Sequence, residues 1–103
     1  MILATIDYIP GKEFEALGMV KGSMIQSKHI GKDIGSAFKS IVGGELAAYS
    51  EMINESRSIA TQRMVQEAQS LGADAVIGVR YSSSTVTQGA AEVLSYGTAI
   101  KFK

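Results

Sequence analysis

Apolar residues change their spacing repeatedly along this chain, and each change predicts a new element. Ile2 to Ile6 is short, apolar and β-branched, which predicts a strand. It runs into Pro10-Gly11, a turn signal in which proline presets one dihedral and glycine accepts a positive one. From Glu13 to Ser27, Phe14, Ala16, Val20, Gly22 and Met24 alternate imperfectly with polar neighbours. That pattern predicts a long, interrupted second strand, with Gly18 and Gly22 marking a bulge or a close backbone approach.

Between Ile30 and Val42 the period changes to three and four, through Ile34, Ala37, Phe38 and Ile41, as expected for one buried helical face. Gly31 and Gly35 weaken this helix by up to about 1 kcal/mol each, and Gly43-Gly44 ends it. A second helix is expected from Glu45 to Leu71. Leu46, Tyr49, Ile53, Ala60, Met64, Ala68 and Leu71 form its stripe, widened by Met52, Ser56 and Ile59. Glu51, Asn54, Glu55, Ser58, Gln62, Gln66 and Gln69 fall on the far, solvated side.

After Gly72 the alternation returns. Ala73 to Thr87 reads as a strand, apolar at nearly every position from Ala75 to Val79 and alternating beyond it. Gln88-Gly89-Ala90 supplies a turn, and Glu92 to Phe102 follows as the second arm of a hairpin. Leu94, Tyr96, Ile100 and Phe102 share one side of it, and Val93, Ser95, Gly97, Ala99 and Lys101 the other.

The predicted order is β-β-α-α-β-β, without repeats or linkers, in a single domain over residues 1–103. It implies an α+β two-layer sandwich: a mostly antiparallel sheet with one long and one short helix on one face. Such a sheet needs only one apolar face, whereas Ala75 to Val79 asks for cover on both. Self-association is the expectation drawn from that mismatch.

Composition narrows the function classes. With 46% hydrophobic and 19% charged residues, the chain is apolar enough to fold and leaves little support for disorder. Ten basic residues balance ten acidic ones, so no net field steers it to nucleic acid or an anionic membrane. The local basic group of Lys21, Lys28, His29, Lys32 and Lys39 lacks interleaved aromatics, and nucleic acid is not an expected partner. No apolar run is long enough to span a membrane, and the first residues lack the basic lead of a signal peptide. The absence of cysteine agrees with the reducing cytoplasm, the expected location.

Candidate chemistry is thin. His29 and Asp33, four apart, could share a metal ion, but two ligands do not make a site, and a surface histidine near a helix start is the plainer reading. Met1, Met19, Met24, Met52 and Met64 follow the strand and helix patterns, as gap-filling residues do. The hydroxyls of Ser82 to Thr85 have no general base beside them, and Gly43-Gly44 lacks the lysine of a phosphate loop. Arg57, Arg63 and Glu67 lie on or beside the apolar stripe, where a charge must pair, reach water or meet a partner. Arg63 and Glu67 could pair within the helix. These three are the candidates for an interface or polar pocket; no catalytic residue and no cofactor is expected.

Read in order, Thr5, Pro10-Gly11, Gly18 to Gly22, Ile41 to Gly44, Ala48-Tyr49, Arg57 and Leu71 to Val79 resemble the YbjQ-like family over essentially the whole chain. That resemblance implies a subunit similar to dodecin and a ring-shaped homopentamer, or stacked pentamers. It implies no established activity, and it brings a heavy-metal-binding label that a chain with no cysteine and one histidine does not match. The expected function is therefore a non-enzymatic homo-oligomer with a small-ligand surface at subunit boundaries. The alternatives are a metal-binding protein using His29 and carboxylates, and an enzyme with an inter-subunit site.

Overall fold

The structure is a computed structural model and describes residues 1–27, 44–87 and 90–103. In chain order it contains β1 (Ile2–Leu3), β2 (Phe14–Ser27), α1 (Gly44–Ser70), β3 (Ala75–Thr87) and β4 (Ala90–Phe102). The strands form one mixed sheet in the order β1-β3-β4-β2, with β1 parallel to β3 and the other pairs antiparallel. The short helix expected over 30–42 lies outside the described residues.

Helix α1 lies across β2 and β4 and barely reaches β3. Ala60, Met64 and Ala68 from its stripe are buried, and Met64 and Ala68 join Val20, Val76, Val79 and Ala99 in the core between the layers. Small residues on the sheet let the helix come close. A Cβ on Gly22 would run into the backbone of the helix at Ala60 O and Met64 N, and would lie 2.8 Å from Arg63 C. Gly18 is the other anticipated irregularity: with φ of +133° it sits where the pairing of β2 with β4 shifts by a residue.

The helix ends as its sequence suggests. Gly72 takes φ of +78°, its N–H donates to Gln69 O at 3.0 Å, and Ala73 N–H reaches back to Ala68 O at 3.1 Å. This paired arrangement satisfies carbonyls that the last turn leaves open. Leu71, expected on the buried stripe, is 48% exposed because the chain has already left the helix there. Asp74 then ties the sheet to this corner, accepting Phe102 N–H at 2.8 Å on Oδ2.

The second face of Ala75 to Val79 is covered by the chain itself and not, as its two apolar faces suggest, by another subunit. Because β1 and β2 occupy opposite edges of the sheet, the segment between them must cross its full width. The crossing seats Ile9 with Phe14 and Phe102 against Ala75, Ile77 and Ile100. A turn through Pro10 and Gly11, closed by Lys12 N–H to Ile9 O at 3.1 Å, directs the chain into β2. The bulge at Gly78, φ +62°, explains why Val79 joins Val76 on the helix side.

Among the described residues, only the near half of the sheet receives this second cover. From Arg80 to Thr87 every residue of β3 is exposed, so the far half extends as an arm. The radius of gyration is 16.8 Å and the extents are 54 × 23 × 15 Å. A compact chain of this length would have a radius near 13 Å.

Candidate functional site

The expected polar residues of α1 divide between its two flanks. On the β2 side, Glu67 and Arg63 do not pair with each other; each binds the outer backbone edge of β2. Lys21 N–H donates to Glu67 Oε1 at 3.3 Å, and Arg63 Nη1 donates to Ser23 O at 2.6 Å. Two groups that would otherwise offer themselves to another strand are thereby occupied, a common way of blunting a sheet edge.

On the β3 side, Arg57 is exposed and held by Asn54, with Nη1 donating to Oδ1 at 2.8 Å. Thr61 gives its hydroxyl proton to Arg57 O at 2.8 Å. Its contact with the Tyr81 hydroxyl, also 2.8 Å, is therefore one in which Tyr81 donates. This is the tie between α1 and the far half of β3. Tyr81 was not singled out from the sequence; the signal available was a tyrosine alternating with hydroxyl residues at a strand end.

The opposite face of the arm is set by register. Lys21, Tyr96 and Arg80 form one cross-strand row, and Ile25, Glu92 and Ser84 another. Since Tyr81 and Ser95 point toward the helix, these rows point away from it. Met19 is 74% exposed and Ile25 54% on this side of β2. Arg80 also donates to Thr5 O at 2.8 Å, fastening the N-terminal segment where it leaves the edge of β3.

Chemically, the two flanks offer hydroxyls, amides and guanidinium groups. Among the described residues no group of three or more His, Cys, Asp and Glu side chains could hold a metal ion. His29 and Asp33, with the basic residues from 28 to 39, lie outside the described residues. No described helix is long and apolar enough to cross a membrane.

A four-stranded mixed sheet carrying one long helix defines a small α+β protein, and the comparisons place it. The YbjQ family model, described as "Putative heavy-metal-binding", matches residues 1–103, and the chain belongs to this family. It is 66% identical over 102 residues to a UPF0145 protein of Alkaliphilus metalliredigens, covering 99% of each chain. It is 64% identical over 101 residues to a UPF0145 protein of Clostridium novyi, covering 98% of each. Among solved structures it is similar to a protein of unknown function of the DUF74 family from Pediococcus pentosaceus. That match has a TM-score of 0.71 at 18% identity and covers 100% of this chain and 98% of the other.

Proposed function

We propose that this protein is a cytoplasmic, non-enzymatic homo-oligomer whose subunit boundaries form a binding surface for a small ligand. The observation that carries the reading is the arm. Among the described residues nothing covers the far half of the sheet on the face away from the helix, where Ile25 stands largely exposed, and Met19 is exposed on the same face nearer the covered half. A chain that leaves such residues in water, in so elongated a protomer, is completed most economically by copies of itself. A ring of five dodecin-like subunits, single or stacked, is the form that the family resemblance suggests. Arg57, held by Asn54 on the helix layer beside the Thr61–Tyr81 tie, is the exposed polar group we assign to a ligand where a neighbouring subunit meets the β3 flank of the helix.

Native mass spectrometry of protein purified without added ligand tests both halves of the reading. It is expected to show a complex of identical subunits, and a retained small molecule in a fixed ratio to them. A lone protomer of 10.9 kDa at micromolar concentration would overturn the oligomer.

Metal binding is the second reading, favoured by the family's description. The donor set fits a soft heavy metal poorly: such ions prefer thiolates, and the chain has no cysteine and one histidine. Any metal chemistry would fall to carboxylates and His29, which suits harder or borderline ions.

A further inference from the structure

We infer that the cross-strand row Lys21–Tyr96–Arg80, on the sheet face away from the helix, binds a small planar aromatic anion, a ring carrying a carboxylate or a phosphate. The site goes beyond the ligand position at Arg57, which lies on the helix layer, and all three of its residues belong to one protomer. Register sets Tyr96 on the inner strand β4, with Lys21 beside it on β2 and Arg80 on β3. Two strand spacings separate the cations, so their backbones lie about 10 Å apart with the tyrosine midway.

Arg80 is fixed before any ligand arrives. Its Nη1 donates to Thr5 O at 2.8 Å and to Val79 O at 2.9 Å, which uses both protons of that nitrogen. The edge made by Nε and Nη2 has no partner among the described residues, and its two parallel N–H groups match the two oxygens of a carboxylate or phosphate. Lys21 is exposed, and it is its backbone N–H that Glu67 engages. The rows on either side, Met19–Thr98–Ile77 and Ser23–Leu94–Ser82, carry no charge. Glu92 stands on this face four residues along β4 from Tyr96, about 13 Å away. Asp7, whose Oδ1 lies 3.4 Å from where a Cβ on Gly78 would be, sets one negative charge against two positive. The row therefore keeps a net positive charge.

Tyr96 supplies the preference for a ring. It is half-buried, and Leu94 and Thr98, also half-buried, precede and follow it on the same face. A bare anion would use the two cations alone. A flat ring laid on Tyr96 also buries apolar surface and stacks, while its charged group reaches the guanidinium or the ammonium.

Isothermal titration calorimetry of the full chain tests the site with four probes: 2-naphthoate, adenosine 5′-monophosphate, adenosine and inorganic phosphate. At least one of the two ring-bearing anions is expected to bind at least about tenfold more tightly than both adenosine and phosphate, and the tighter of the two identifies the anionic group. Phosphate binding as tightly as both would overturn the part given to Tyr96, adenosine binding as tightly would overturn the part given to the cations, and no saturable binding of either ring-bearing anion would overturn the site. Since Arg80 also fastens the N-terminal segment, the variants are Lys21→Met and Tyr96→Leu, each checked by far-ultraviolet circular dichroism. Each is expected to weaken the tighter probe at least about fivefold with the spectrum unchanged; unchanged affinity in either would overturn the row. Arg57→Ala separates this row from the position assigned above: a loss there, with none in the other two variants, would overturn the row and leave that reading standing.

Discussion

Glu67 accepts the outward backbone N–H of Lys21, 46 positions earlier in the chain, and so spends a helix carboxylate on closing a sheet edge. Arg63, one turn earlier, donates to Ser23 O on the same edge. Both groups are exposed, so each bond contributes modestly to stability. Single alanine substitutions are expected to cost about 0.5–1.5 kcal/mol in urea denaturation. The larger effect belongs to association. The double variant Arg63→Ala with Glu67→Ala opens the edge of β2 and is expected to scatter light as larger species at concentrations where the parent protein does not.

Gly22 determines how closely the layers approach. A methyl group there meets helix backbone rather than a flexible side chain, so α1 must lift. Gly22→Ala is expected to cost at least about 3 kcal/mol, the upper end for overpacking, against a total stability of roughly 5–15 kcal/mol. Gly11→Ala is the control: nothing lies within 4 Å, and only the φ of +75° opposes it, for a loss of about 1 kcal/mol. Thermal melts of the two variants separate contact from conformation.

Ser95 and Met64 form a buried pair, with the hydroxyl donating to the thioether sulfur at 3.3 Å. Met64→Leu conserves volume but removes the acceptor, leaving a buried hydroxyl without a partner, and is expected to cost about 1–3 kcal/mol. Adding Ser95→Ala to that variant should recover a large part of the loss. Denaturation of the two singles and the double supplies the cycle, and additive losses would show that the sulfur contributes packing alone.

The metal reading is tested by equilibrium dialysis against zinc, followed by elemental analysis of the parent protein and His29→Ala. No stoichiometric zinc in either protein is the expected result. One zinc per subunit that disappears with His29→Ala would instead establish the metal site.

Much of the fold was legible because its elements keep a clean period or are strongly punctuated. Met64 and Ala68 lie at helical spacing, Gly72 stops the helix, and Pro10-Gly11 turns the chain; each local signal agrees with its environment in the structure. What the sequence left hidden depends on distant segments meeting. The apolar run of β3 shows that both its faces need cover, but only the crossing between opposite edges reveals that Ile9 supplies the second. Likewise, the spacing of Arg63 and Glu67 suggests a helical ion pair, while a neighbouring strand edge offers both of them backbone partners. Arg57 was legible as a charge needing an explanation, and its partner Asn54 is exposed, as its place on the solvated side implies.

Completion of the protomer by copies of itself is the step on which the proposed function depends. Size-exclusion chromatography with multi-angle light scattering, at micromolar concentration and physiological salt, measures this directly. A single species whose mass is a whole multiple of 10.9 kDa is expected, with five or ten subunits for a single or stacked ring. A stable species at 10.9 kDa across that range would contradict it.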